Sequence, residues 1–526
     1  MNVRTEEAPI EAELRLAVPQ KWQNKLKRLP LLVDAGTGRA KSSHLKSTYF
    51  DTPDGALAAA GMTLRIREIG KRRLQTLKIG SGWQAGLTER IEVERWVRDD
   101  QPVLDHIPLP DVRDFLSKSG HWERLQPAFV TDFKRTSREV RFEGEFGNAL
   151  ISVDLDIGEI RSGMKSMPVS ELELELKDGA AAALFELARA IQDDVPVRIE
   201  YRGKALRAEQ LNAPPEPLPV KREKPALVRG SGISQSAAII LGTCLTQIAA
   251  NEAAVLESTD PEGPHQMRVA LRRLRAALGM FRDLGDEGLT TRVRAEAKWL
   301  AGALGDAREW DVYIDELHLP VERALGEGIP ALKELRGLAE LRQEIGYRDA
   351  RAAVASRRFT ALQLDLGLLI ETVSRLQNAR QDAREQSETF AASRLEKRFR
   401  KVRKMGRRAL QGPNEALHEL RLEMKKMRYA AESFSSLFPA KKAKAFAKAA
   451  ARLQNLLGYA NDYAVSIEQL SGLLDGSSRP ETNNLARAAG VVIGWHGVEM
   501  IRANRDIEEA WARFLDAGRF WPKPPV

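Results

Sequence analysis

Cysteine is almost missing from this chain of 526 residues: Cys244 stands alone, beside only seven histidines. One thiol excludes an internal disulfide framework and any zinc site built on several cysteines. It fits a reducing, cytoplasmic compartment. Aromatic residues make up 6% of the chain, and no aromatic stacking platform or nucleic-acid motif stands out, so nucleic acid is not the expected partner. No run of about 18 apolar residues free of charge occurs, so no membrane-crossing helix is expected. The opening residues, MNVRTEEAPIEAEL, lack the basic-then-apolar order of a secretory signal. What is abundant is charge: 29% of residues are charged and the net charge is +9. A length of 526 residues implies two or three domains. The 43% hydrophobic fraction suffices for real cores, and the basic balance suggests an anionic partner.

Pro214, Pro215, Pro217, Pro219 and Pro225 crowd one stretch. Such a segment cannot continue a helix or a central strand and reads as a semi-rigid linker over 212–228. Before it, segments such as IEAELRLAV, MTLRIRE, TERIEVERWV, LISVDLDIGEI and VSELELELK alternate with period two, separated by turn signals such as Pro53-Asp54-Gly55. They predict an antiparallel sheet that can close into a barrel, with helices near 19–32 and 180–193. After the linker the period becomes 3.6 in stretches rich in Ala, Leu, Arg and Glu, which predicts an all-helical bundle. The expected fold class is α+β and multidomain: a β domain over 1–211, and a helical domain over 229–518 with repeat units of about 229–380 and 381–518.

Residues i, i+2 and i+4 of a strand share one face. Glu11, Glu13 and Arg15 therefore share one, as do Glu171, Glu173 and Glu175, with Lys177 extending it. Arg65 pairs in this way with Arg67, Thr76 with Lys78, Arg90 with Glu92 and Glu94, and Asp154 with Asp156. One such strand reads as a sheet with a solvated face. Six of them, with both signs of charge on matching faces, fit a barrel lined by charge. Clustered carboxylates with few histidines suit hard cations such as Mg²⁺ or Mn²⁺, and clustered Arg and Lys suit phosphate oxygens.

In their order these segments resemble the CYTH domain, the triphosphate tunnel metalloenzyme family. Glu11-x-Glu13-x-Arg15 is similar to its E-x-E-x-K signature, with arginine in place of lysine. Tyr49-Phe50-Asp51-Thr52, Leu64-Arg65-Ile66-Arg67, Thr76-Leu77-Lys78, Arg90-x-Glu92-x-Glu94, Asp154-x-Asp156-x-Gly158 and the Glu171/Glu173/Glu175 strand follow within residues 5–210. The resemblance implies a closed tunnel of eight antiparallel strands that binds a triphosphate and one or two metal ions. By position it implies Glu11, Glu13, Glu173 and Glu175 as metal ligands and catalytic groups. Arg15, Arg65, Arg67, Lys78, Arg90, Arg135 and Lys177 would contact phosphate. Asp154, or a glutamate of the last strand, would place a second metal or the attacking water. All of them must then face inward.

The helical half contains a duplication. GPHQMRVALRRLRAALGMF and ALHELRLEMKKMRYAAESF align at an offset of 153 residues. His265 then meets His418, Arg268 meets Arg421, Arg272 meets Lys425, Arg273 meets Lys426 and Arg275 meets Arg428. Without a gap, Leu304-Gly305 meets Leu457-Gly458, Glu309 meets Asp462 and Val312 meets Val465. Such a repeat argues for two related helical units. At about 100° per residue, positions i, i+3, i+7 and i+10 fall within roughly 80° of one another. His265, Arg268, Arg272 and Arg275 thus form a cationic stripe, and His418, Arg421, Lys425 and Arg428 its copy. Like charges stacked this way repel, unless an anion lies between the stripes or the faces are merely solvated. The pattern over about 229–515 resembles the CHAD domain. That resemblance implies inorganic polyphosphate as the partner of these basic residues, Arg273 and Lys426 included, with no known need for a metal.

The joint expectation is metal-dependent hydrolysis of inorganic triphosphate in the barrel, with polyphosphate bound by the helical half. The alternatives are a hydrolase or cyclase acting on an organic triphosphate such as thiamine triphosphate or ATP, and a non-enzymatic polyphosphate binder.

Overall fold

A computed structural model describes residues 10–80, 83–84, 87–118, 120–212, 217–221, 223–379, 386–410, 414–474 and 480–523. The chain divides into two compact units. The first holds 1–217 together with 357–372, and the second holds 218–356 together with 373–526. The first division falls inside the proline-rich stretch. The second has no mark in the sequence, because a helix returns from the helical half to pack with the first unit.

Among the described residues the first unit contains ten strands: β1 (Ile10–Ala17), β2 (Lys41–Asp51), β3 (Met62–Ile69), β4 (Arg72–Ile79), β5 (Trp83–Gln84), β6 (Leu87–Val97), β7 (Gln126–Glu143), β8 (Asn148–Ser162), β9 (Lys165–Gly179) and β10 (Arg198–Ile199). Their order is β10-β1-β9-β8-β7-β2-β3-β4-β6-β5, and β1 also pairs with β6. That extra pairing closes eight strands into a ring, since Glu11 of β1 faces Arg90 of β6 while Glu13 faces Glu175 of β9. Closure leaves β1, β9, β8, β7, β2, β3, β4 and β6 without a free edge. Two of the hairpins turn in two residues, at Gly70 and Gly163, whose φ values of 59° and 57° suit the primed turns that such hairpins use.

Much of the apolar set of the strands points outward and is covered, while Tyr49, which lines the bore, packs with Phe129 and Phe133 in a cluster of its own. Leu64, Ile66, Leu77, Ile79 and Val93 pack with Leu57, Ile107, Val112 and Leu116, two of which lie on the helix Pro110–Lys118. The helix Ala182–Asp194 buries Leu184, Leu187 and Ile191. Each such side chain contributes roughly 1.5–3 kcal/mol, so this outer layer supplies the hydrophobic stabilisation that the charged interior cannot. The Tyr49-Phe50-Asp51-Thr52 segment serves the fold. Asp51 Oδ1 accepts from the Thr52 and Leu57 amides at 2.7 and 2.9 Å, and Oδ2 from the Ala58 amide at 3.0 Å, fixing the short helix Ala56–Ala59.

The second unit is helical. Its repeated basic stripes lie on the helices Glu262–Met280 and Asn414–Phe434. Met267, Leu271, Leu274 and Leu278 recur at helical spacing beside the first stripe and are buried, as are Leu420, Met424 and Met427 beside the second. One expectation is corrected here. The stretch Ile233–Glu257 is long and apolar enough by length and composition to cross a membrane, with a mean hydropathy of 1.5. A count of strictly apolar residues overlooked it, because uncharged Ser, Thr, Gly and Gln interrupt the run. Within the unit, 67% of that window is buried, as in a bundle's core helix.

In the first unit, a Cβ added to Gly367 would lie 2.2 Å from the ring of Phe185, which is fully buried. Gln192 Nε2 donates to the Arg357 carbonyl at 2.9 Å along the same contact. Gly367→Ala should therefore destabilise the protein. The overpacking cost of about 1–3 kcal/mol exceeds the ~1 kcal/mol that alanine gains over glycine inside a helix. Urea unfolding measures the difference, and an unchanged or raised midpoint would contradict this packing.

Candidate active site and anion pocket

The barrel encloses a cavity of about 950 Å³. Interiors of eight-stranded barrels are ordinarily just filled by side chains or hold one small ligand. This one is lined by Glu13, Asp154, Glu173 and Glu175 and by Arg15, Arg65, Arg67, Lys78, Arg90, Arg135 and Lys177. Of the residues that strand parity turns inward, Glu171 and Asp156 are buried behind this lining rather than part of it, and the side chain of Glu11 lies outside the described residues. β3 and β9 are four strands apart whichever way the ring is followed. Arg65 and Arg67 therefore face Glu173 and Glu175 across the bore.

The carboxylate wall is held by cations. The Arg135 guanidinium donates to both oxygens of Asp156 at 2.7 Å, to Asp154 Oδ2 at 3.3 Å and to Glu173. Lys204 Nζ reaches Glu173 Oε1 at 2.5 Å, Asp156 Oδ2 at 3.0 Å and Glu171 Oε1 at 3.5 Å. Burial pushes the Glu173 carboxyl up, but Lys204 and Arg135 more than offset that and hold it well below the usual carboxylate range. Burial also raises Asp154, and there it wins over Arg135; Asp154 Oδ1 is buried without a hydrogen-bond partner. Glu175 pairs with the more exposed Lys177 at 2.5 Å, and the buried Arg15 pairs with Glu13 at 3.1 Å.

The opposite wall differs. Arg65 donates to the Tyr49 hydroxyl at 3.3 Å and lies 3.6 Å from Glu92, which also pairs with Lys78 at 3.1 Å. Glu94 accepts from Thr76 Oγ1 at 3.0 Å. Arg67 donates only to Ser47 Oγ, at 3.3 Å, and has no carboxylate partner among the described residues. Burial, with Arg65 beside it, pushes its pKa down to about 10. An uncompensated guanidinium inside a closed barrel marks where an anion belongs. Arg135, expected as a phosphate contact, lines the cavity and already donates to three carboxylates. Lys204 was not singled out from sequence. It follows Gly203 at the start of the helix Lys204–Gln210, beyond the last alternating strand, and no periodicity marks it.

A divalent cation fits the donor set in kind. The acids are oxygen ligands only, and Asp154 presents an unpartnered oxygen. Among the described residues no three acidic, His or Cys side chains already converge on one point, because Arg135 and Lys204 stand among them.

The helical unit has its own pocket, of about 270 Å³. His265, Arg268 and Arg272 line it from one stripe and Arg421 and Lys425 from the other, joined by Arg308, Glu309, Glu316, Val312, Val465 and Gln469. Four lining pairs keep the 153-residue offset: Arg268 with Arg421, Arg272 with Lys425, Val312 with Val465, and Glu316 with Gln469. Burial and Arg308 lower the pKa of His265. Arg272 Nε is buried without a hydrogen-bond partner. The other expected residues lie off the pocket. Arg273 and Arg428 converge on Glu432 at 3.1 and 2.8 Å, Lys426 pairs with Glu423 at 2.7 Å, and Arg275 and His418 are exposed. Arg308 escaped the repeat search because its counterpart is Asn461.

The CYTH domain family matches residues 9–201 and the CHAD domain family residues 239–471. An inorganic triphosphatase of Haemophilus influenzae is 31% identical over 174 residues, which are 32% of this chain and 46% of that relative. The match thus spans less than half of that relative's length. An uncharacterised protein of Mycobacterium tuberculosis is 25% identical over 455 residues, 82% of each chain. The crystal structure of the CHAD domain from the plant Ricinus communis, 30% identical, covers 58% of this chain and 99% of its own, with a TM-score of 0.51.

Lys204→Met would leave the Glu171, Asp156 and Glu173 carboxylates short of a cation. A buried pair broken from one side costs about 3–5 kcal/mol. Because the folded pKa of Glu173 is depressed, its ionised form stabilises the fold above the unfolded carboxylate pKa, and this contribution fades as pH falls. Urea unfolding should therefore show a deficit of several kcal/mol at pH 7 that persists down to pH ~4 and narrows as the pH falls further, through the depressed pKa of Glu173. A deficit independent of pH would contradict the pairing.

Proposed function

Because this chain carries a CYTH domain followed by a CHAD domain, we propose that its barrel hydrolyses an inorganic triphosphate such as tripolyphosphate with a divalent cation, and that its helical unit binds inorganic polyphosphate. The observation that carries the first part is the bore itself: Arg65 and Arg67, the latter without a carboxylate, face the Glu173 and Glu175 wall inside a closed ring. The Haemophilus influenzae relative, named an inorganic triphosphatase, supports the same reading.

Phosphoryl transfer asks chiefly for charge neutralisation and an in-line nucleophile. Arg65, Arg67 and Lys78 would hold the phosphate oxygens from one side. Glu13, Glu173 and Glu175, with Glu11 of the same strand face, would hold the cation from the other. Mg²⁺ or Mn²⁺ bound there would neutralise phosphate charge and polarise the anhydride. Among the described lining residues eight are Arg or Lys and seven are Asp or Glu. That lining is near neutrality by itself, so a multiply charged anion is best admitted together with a cation. Asp154, raised by burial and presenting a free Oδ1, is suited to accept the proton of the attacking water as the new phosphorus–oxygen bond forms and the anhydride bond breaks. The Tyr49 ring is already stacked on Phe129, with centroids 4.2 Å apart, which favours an inorganic over a nucleoside substrate.

Glu13→Gln should lower phosphate release from tripolyphosphate by at least ~100-fold at saturating Mg²⁺ or Mn²⁺, with unchanged circular dichroism. Wild-type turnover in that variant would remove the metal assignment. A panel of tripolyphosphate, ATP and thiamine triphosphate ranks the substrates. The double variant Arg268→Glu/Arg421→Glu should abolish binding of long-chain polyphosphate while sparing tripolyphosphate hydrolysis. Loss of both activities would contradict two separate sites.

A further inference from the structure

The helical pocket, read as a polyphosphate site, contains two groups that an anion site does not need: the carboxylates of Glu309 and Glu316. Arg268 Nη2 lies 3.4 Å from Glu309, and Arg308 Nη2 lies 3.4 Å from Glu316. Both acids are largely solvated, 46% and 59% exposed. Exposed pairs at such distances are weak, and an incoming anion can displace them. The ion pair that joins the same two stripe helices away from the pocket, Arg273 with Glu432, is of another kind. There Glu432, 15% exposed, holds Arg273 and Arg428 at 3.1 and 2.8 Å.

The two arginines do not depend on these carboxylates for their position. Arg268 Nη1 donates to the Gly305 carbonyl at 2.6 Å. Arg308 is backed by Asp311, 3.9 Å away and almost fully buried, which is itself fixed by Gln343 and Tyr347. Glu316 sits on the π-helical turn Tyr313–His318, and that turn is pinned by His318, bonded to the Tyr313 hydroxyl at 2.9 Å and to the Leu332 carbonyl at 3.0 Å. Glu316 is thus presented from a firm base towards an arginine that is already anchored elsewhere. In the second repeat its counterpart is the neutral Gln469, so the acid is not required by the repeated architecture.

We propose that Glu309 and Glu316 determine the specificity of this pocket: they occupy Arg268 and Arg308 as internal counter-ions, so that only an anion chain able to replace both carboxylates at once is retained. This deepens the polyphosphate reading of the pocket and rests on it. A single phosphate or sulfate that replaces one carboxylate loses the ion pair it displaces and is still repelled by the second carboxylate. A chain of linked phosphates replaces both acids and also reaches Arg272, Arg421 and Lys425. The acids therefore weaken small anions proportionally more than long ones.

The test measures binding of orthophosphate and of long-chain polyphosphate to the full chain at matched ionic strength, since such affinities depend steeply on salt. Glu309→Gln/Glu316→Gln should tighten orthophosphate about tenfold or more and reduce the ratio of the two affinities by about tenfold. Glu340→Gln/Asp349→Asn carries the same charge change at equally exposed positions, 46% and 59%, outside the pocket lining. It should leave that ratio within about twofold, because it alters only the long-range field. Equal tightening of both ligands in the pocket variant, or an equal loss of ratio in the control, overturns the proposal. Failure of the wild-type protein to bind long-chain polyphosphate overturns the reading of the pocket itself, a result distinguishable from an unchanged ratio.

Discussion

A closed β-barrel that turns its charged residues inward must neutralise them there, because an isolated charge kept from water costs several kcal/mol. The rest of the first unit follows from this constraint. Acidic strands need cationic neighbours, so Arg135 on β7 and Lys204 beyond the barrel enter the Asp156 and Glu173 cluster. The apolar set is forced outward, so helices must cover it, as Pro110–Lys118 and Ala182–Asp194 do. Arg67 has a hydroxyl but no carboxylate partner among the described residues, and that exception carries information about what the bore admits.

Strand parity made most of this visible before any coordinates. Alternation placed Glu13, Arg15, Arg65, Arg67, Lys78, Asp154, Glu173 and Glu175 on faces that line one cavity. What parity cannot express is which wall meets which. Partners across the bore depend on closure through the β1–β6 pairing, a long-range event with no local signature. For that reason Arg135, whose position matched the phosphate-contact pattern, is committed to its own carboxylates. Lys204, following a glycine on a seven-residue helix, has too little periodicity around it to be noticed. The segment 357–372 belongs to a helix long enough to be read as one, but nothing local marks the unit it packs with.

In the helical half the 153-residue repeat located the site, yet only part of each stripe enters it. Crossed helices come close over a limited length, so Arg268 and Arg272 meet Arg421 and Lys425, while Arg273 and Arg428 turn to Glu432. A helical wheel treats all four positions of a stripe alike, because it carries no crossing angle. Arg308 shows the opposite limit. It lies in the pocket without a basic counterpart, so a search for what is repeated passes over what has diverged.

The two cavities differ in a way that bears on their chemistry. The barrel lining is close to neutral, eight cations against seven acids among the described residues, whereas the helical pocket has five Arg or Lys against two exposed glutamates. In the bore a phosphate anion meets nearly as much negative as positive charge, and a divalent ion is the simplest means of tipping the balance. In the helical pocket the protein's own excess of positive charge suffices, and ionic strength rather than metal should govern occupancy. Under the proposed function one chain would thus present two kinds of phosphate site: one arranged for an anion that arrives with a cation and is cleaved, the other for a bare polyanion that is held.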